Sequence, residues 1–147
     1  MRLLTYESKL NVLQNRAPTE TGMARLSLDD DDKRVRHWLI EQVQAIGCKV
    51  TVDQMGNIFA VRPGKNANVA PVMMGSHLDT QPTGGRYDGI LGVLSALEAL
   101  RTIHESGYET EGPVGLVNWT KLVARAYIQT EFYPNLSAIV KKVLAFL

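Results

Sequence analysis

The sequence predicts an α/β domain in three layers, α/β/α, with a mixed or largely parallel sheet. The apolar run Val69 to Met74, closed by Gly75, reads as a strand buried on both faces, the kind found in sheets covered by helices. From Asp88 to about Ser106, residues Ile90, Val93, Leu94, Leu97, Leu100 and Ile103 recur at helical spacing, with Gly107 as the stop. Val114 to Trp119 reads as another buried strand. Strand, helix, strand in that order is a βαβ unit, which implies a parallel pair and a right-handed crossover.

The same periodicities give the remaining elements. Leu3, Tyr6, Leu10 and Leu13 share one helical face, so the first fifteen residues read as a short amphipathic helix closed by Pro18. A helix from about Asp30 to Ile46 carries the stripe Val35, Trp38, Leu39, Val43 and Ile46, with Asp29 as N-cap and Gly47 as stop. The run Asp29 to Asp32 could hold a cation or, with Lys33, be an added protease tag. Carboxylates at the positive end of a helix macrodipole account for it without a ligand. After Gly47 the period becomes two: Val50 and Val52, a turn at Met55-Gly56-Asn57, then Ile58 to Val61 predict a hairpin. Pro63-Gly64-Lys65-Asn66 marks a loop. In the tail, Leu136, Ile139, Val140, Val143, Leu144 and Leu147 form a helical stripe after Pro134-Asn135, read as a helix packed on the sheet rather than on a membrane surface or a partner.

Composition bounds the function only loosely. In 147 residues, 45% hydrophobic content suits one soluble globular domain, and 16 basic residues against 15 acidic ones give no field that selects nucleic acid or an acidic membrane. Cys48 is the single cysteine, so no internal disulfide forms, and a buried thiol is the expectation. The chain meets a charge at Glu7 before a signal-peptide apolar region can form, and no apolar run suffices to span a bilayer. A soluble cytoplasmic protein is therefore expected.

The chemistry concentrates in Gly75-Ser76-His77-Leu78-Asp79-Thr80 and Gly84-Gly85-Arg86-Tyr87-Asp88-Gly89. The segment lies between a strand and the next helix, and ligands of open α/β sheets bind at the carboxyl ends of strands. His77 and Asp79, two apart in extended chain, project to the same side, so Asp79 can orient the imidazole directly or through the local backbone, as carboxylates do for metal-bound histidines. Asp88 stands where the helix begins and where unpaired N–H groups favour negative charge. Taken singly these residues have plainer readings: a structural histidine, a helix cap and, for Gly84-Gly85, a tight turn or a phosphate loop lacking the P-loop ending.

Taken together and in this order they resemble the hydantoinase/carbamoylase amidase family, which includes N-carbamoyl amino acid hydrolases, ureidopropionases and allantoate amidohydrolases. The resemblance runs from Gly22-Met23-Ala24-Arg25-Leu26 through Arg36-His37-Trp38, Asp53-Gln54-Met55-Gly56-Asn57 and the whole His77 to Asp88 segment to Val117-Asn118-Trp119-Thr120. It implies a metallohydrolase-like domain, with residues 1–120 the N-terminal part of the catalytic domain and 121–147 a divergent tail. It also implies that His77 is a terminal ligand of one divalent metal, that Asp88 bridges two such ions, zinc or manganese, and that Asp79 serves catalysis by orienting His77. The substrate class implied is a small linear amide.

The resemblance fails after Thr120. Where the family carries an Asn-Glu-Glu-Gly element, its general base and a metal ligand, this sequence reads Lys121-Leu122-Val123-Ala124-Arg125. The family's later histidine ligands, substrate-binding arginine and dimerisation domain lie beyond Leu147, so a truncated form with little turnover of its own, and without the homodimer contacts, is the expectation. His37 and His104 fall in predicted helices outside the motif and are not expected to be ligands. The rival readings are a non-catalytic interaction protein and an aminoacylase or dipeptidase relative.

Overall fold

A computed structural model describes residues 22–81 and 84–120. The N-terminal helix and the tail helix expected from periodicity lie outside the described residues.

Asp29 caps helix α1 (Asp30–Gln44), accepting the Asp32 N–H at 2.7 Å and the Leu26 N–H at 2.9 Å. The helix ends two residues before the expected Ile46, and the predicted stripe is the buried one: Val35, Leu39 and Val43 are in the core, with Trp38 packed beside them. The acidic run is divided by burial. Asp30 is exposed, whereas Asp32 is fully buried and bonds the Arg36 guanidinium and the Leu28 N–H, each at 2.8 Å. Arg36 in turn donates to the Gly56 carbonyl at 2.7 Å, fastening the next turn of the chain to the helix. Burial pushes the Asp32 carboxyl above the ordinary carboxylate range, with the Arg36 charge opposing.

Strands β2 (Lys49–Val52) and β3 (Ile58–Arg62) form the expected antiparallel hairpin, with Val52 opposite Ile58. Asp53 shapes the connection, its carboxylate accepting the Met55 and Asn57 N–H groups at 2.9 Å. Strand β4 (Val72–Ser76), helix α2 (Ile90–Ser106) and strand β6 (Val114–Asn118) make the βαβ unit, β4 and β6 being parallel with Ser76 opposite Asn118. Two short segments, β1 (Gly22–Met23) and β5 (Gly84–Gly85), pair antiparallel apart from the main sheet.

The main sheet has the order β2-β3-β6-β4. Because β3 runs antiparallel to both β2 and β6, the sheet is mixed and not largely parallel. The expectation that Val69 to Met74 is a strand buried on both faces also gives way: β4 is an edge strand among the described residues, and Val72 is 66% exposed. Pro71 has no N–H to give a ladder, so pairing begins only at Val72, whose N–H reaches the Pro113 carbonyl.

The row Val50, Ala60, Leu116 and Met74 runs across the sheet on one face and joins a core with Val35, Leu39 and Val43 of α1 and Ile90, Val93, Leu97 and Leu100 of α2. Both helices therefore lie on the same face, and Arg101 of α2 bonds Gln42 of α1 at 2.6 Å. Described residues thus supply two layers where three were expected. The opposite face presents Val61, Val117 and Phe59, the last edge-on to Trp119 with centroids 5.7 Å apart, and no described helix packs there. No described helix is long and apolar enough to cross a membrane.

Cys48 is buried, and desolvation pushes its thiol upward. Its alkylation by iodoacetamide is expected to be slow in the native protein and to rise with urea in step with the loss of fluorescence-detected structure. Substituting Asp32 by Ala leaves Arg36 buried without its counter-charge, so the urea midpoint should drop by the equivalent of about 3–5 kcal/mol. The double change Asp32→Leu with Arg36→Met should cost far less than that single one.

Candidate metal corner at the carboxyl end of the parallel strands

Beyond Ser76 the chain leaves the sheet at the carboxyl edge of the β4–β6 pair, held there by the Trp119 N–H bonding the Ser76 carbonyl at 2.7 Å. Leu78 is fully buried and anchors the segment, while the side chain of His77 beside it keeps a little exposure. The imidazole Nδ1 lies 2.8 Å from the main-chain carbonyl of Asp79. A carbonyl only accepts, so in the neutral ring Nδ1 carries the proton and Nε2 presents a lone pair. The Asp79 carboxylate, itself buried, is 3.7 Å from Nδ1, so the backbone of Asp79 makes the close contact and its side chain stands behind.

Nε2 faces Asp88, 3.8 Å from Oδ1. The expected helix start at Asp88 moves to Ile90, with Gly89 as N-cap, so Asp88 stands just outside the helix with its side chain about half exposed, at 49%. The approach depends on Gly89. Its φ of +74° is left-handed, and a Cβ there would overlap both the ring and the carbonyl of His77. Sequence reasoning passed over this glycine, although Tyr87-Asp88-Gly89 was the signal that pointed to it.

The structure brings His77, Asp79 and Asp88 together and leaves the other histidines apart. His37 and His104 are exposed on α1 and in the last turn of α2. Among the described residues no group of three or more His, Cys, Asp or Glu side chains could hold a metal. Two further residues, Arg25 and Asn118, belong to the segments that carry the resemblance, but sequence reasoning assigned them no role in the site. Asn118, opposite Ser76 at the same end of the sheet, is fully buried with neither side-chain amide atom bonded among the described residues. Arg25 is 2% exposed and donates from Nε and Nη2 to the Leu78 carbonyl at 3.0 and 2.7 Å. Burial draws the Arg25 guanidinium below its ordinary value, and the Asp32, Asp29, Asp31 and Asp79 carboxylates oppose this.

The fold defines the class. It matches the N-terminal part of solved amidases: to an amidase of the hydantoinase/carbamoylase family from Burkholderia vietnamiensis the TM-score is 0.81 at 37% identity, covering 99% of this chain and 40% of that one. Particular relatives sharpen the match. The chain is 46% identical over 99 residues to an N-carbamoyl-L-amino-acid amidohydrolase of Rhizobium meliloti, which is 67% of this chain and 24% of that protein. It is 34% identical over 99 residues to a ureidoglycolate hydrolase of Oryza sativa subsp. japonica, 67% of this chain and 20% of that protein. No protein-family model matches the chain. The chain is thus a partial match to the hydantoinase/carbamoylase amidases, spanning between a fifth and a quarter of the length of these two curated relatives. The resemblance read from the motifs is the one the comparisons find.

Replacing Gly89 by Ala forces a left-handed residue and a side chain into the space of His77, and should cost more than about 1 kcal/mol in denaturant unfolding. The same variant should shift the His77 ring resonances while leaving those of His37 and His104 in place.

Proposed function

We propose that this chain carries one corner of a divalent-metal centre in a hydrolase that cleaves non-peptide C–N bonds of linear amides, the substrates being N-carbamoyl amino acids or ureido compounds. The observation that supports it is the 3.8 Å approach of His77 Nε2 to Asp88 Oδ1, with Nδ1 already engaged by the Asp79 carbonyl. Metal–nitrogen and metal–oxygen bonds of about 2.0–2.1 Å can bridge such a gap, so the two groups fit as adjacent donors to zinc, and the same donor types suit manganese.

A bound ion of this kind polarises the scissile carbonyl and generates a nucleophile from water near neutral pH. The chain's own residues prepare the place. His77 would offer its Nε2 lone pair to the ion, the Asp79 carbonyl resists rotation of the ring, and the half-exposed Asp88 carboxylate would supply the anionic donor that offsets the charge of the cation. The buried Asp79 carboxylate stabilises positive charge building on the imidazole. Catalytic zinc takes about three protein donors, so the proposal requires a further donor and a general base from outside the described residues.

A non-catalytic relative with this corner intact is the second reading, favoured by the sequence Lys121-Leu122-Val123 where the family has its glutamate pair. Zinc or manganese titration followed by NMR should perturb the His77 ring before the other histidines. His77→Ala and Asp88→Ala should each weaken zinc binding by more than the about 10–100-fold typical of losing an orienting residue. A His77 ring indifferent to either metal would sink the metal corner. Ammonia release from an N-carbamoyl amino acid then separates the readings: metal-dependent release abolished by His77→Ala supports the hydrolase, and metal binding without release supports the non-catalytic protein.

A further inference from the structure

Arg25 occupies a position that burial makes costly for a permanent charge, and it is too enclosed to touch a substrate. Several of its hydrogen bonds are with the backbone beside His77. The guanidinium gives two hydrogen bonds to the Leu78 carbonyl, at 3.0 Å from Nε and 2.7 Å from Nη2. The Arg25 carbonyl accepts the Thr80 N–H at 2.6 Å, and the Arg25 N–H donates to the Thr80 hydroxyl at 2.8 Å.

These contacts fall on the two peptide units that flank Asp79. In the unit joining Leu78 to Asp79, the carbonyl is held by the Arg25 side chain. In the unit joining Asp79 to Thr80, the N–H is held by the Arg25 carbonyl. A trans peptide is planar, with its N–H and C=O pointing in opposite directions. Fixing the Thr80 N–H toward Arg25 therefore aims the Asp79 carbonyl away from Arg25, and that carbonyl is the one His77 Nδ1 meets at 2.8 Å. The brace reaches the other side of the site as well. Gly22 and Met23, just before Arg25, pair with Gly85 and Gly84, which lead into Asp88.

We propose that Arg25 is a positioning residue that clamps both peptide units around Asp79, and thereby fixes the tautomer and orientation of His77 toward Asp88. The assignment rests on His77 being the functional imidazole. An arginine suits the task because its fork places two donors on one oxygen, which a lysine cannot do.

The test is the tautomer ratio of the His77 ring, read by nitrogen-resolved NMR of the full chain under alkaline conditions where the ring is neutral. The native protein should hold the Nδ1–H form. Arg25→Met should raise the ratio of the Nε2–H form to the Nδ1–H form about fivefold, the size expected when one neutral hydrogen bond is forfeited. Arg25→Lys should recover part of the native ratio, and Thr80→Val, which removes only the hydroxyl side of the clamp, should move it in the same direction as Arg25→Met. Val43→Ala, a core truncation in α1, lowers stability and should leave the ratio unchanged. A folded Arg25→Met protein with the native ratio would overturn the proposal, as would Val43→Ala moving it equally. If Arg25→Met does not fold, an unmoved ratio in Thr80→Val overturns it instead. Because the readout involves neither metal nor turnover, its failure leaves the hydrolase reading standing, and failure of metal binding leaves the clamp standing.

Discussion

The parallel register that sets Ser76 opposite Asn118 is the constraint on which the approach of His77 to Asp88 depends. Two parallel strands cannot be joined by a tight turn, so the chain must leave the sheet at the carboxyl end of β4 and return through α2. The exit and the start of the returning helix are then neighbours. That is why His77, the first residue past β4, comes to face Asp88, which stands just before α2, although eleven positions separate them in sequence. Strand direction brings these two positions together, and the residue types there carry the proposed chemistry.

Polar groups buried around this frame serve to hold connections in place. Asp32 and Arg36 form a dry ion pair that fastens α1 to the turn between β2 and β3, and Arg25 joins the segment before α1 to the backbone beyond β4. Burying such charges is expensive. Asp32 and Arg36 face each other and each also bonds a backbone group, and Arg25 bonds the Leu78 carbonyl. One Asp32 oxygen and one Arg36 nitrogen have no hydrogen-bond partner among the described residues. Three of the four carboxylates at the start of α1 therefore differ in role: Asp29 caps, Asp30 meets solvent, and Asp32 belongs to the interior.

The similarity to hydantoinase/carbamoylase amidases covers the fold of the N-terminal part, while the chain spans only a minor part of its relatives. A two-metal centre distributes its donors along a polypeptide, because no single turn can surround two cations with the required ligands. A part of such a protein can hold a correctly arranged corner without the rest of the centre. The geometry at His77 and Asp88 bears on the proposed corner alone, and the proposed hydrolysis would need groups outside the described residues.

The sequence by itself determined the two described helices, the four strands of the main sheet and their order, but not the short β1–β5 pair. Helical spacing located the core faces of α1 and α2, alternation located the β2–β3 hairpin, and strand, helix, strand implied the parallel pair. It also marked His77, Asp79 and Asp88, because their residue types lie at a strand-to-helix junction. Tertiary structure decided what local pattern cannot encode. Val69 to Met74 is apolar enough for an interior strand, yet the antiparallel insertion of β3 beside β6 left β4 at an edge and the sheet mixed. Both helices settled on one face because their stripes share the Ala60 and Leu116 row. The need for Gly89, the burial of Asp32 and the grip of Arg25 on the Leu78 carbonyl arise from contacts between distant segments, and a one-dimensional pattern carries no record of such distances.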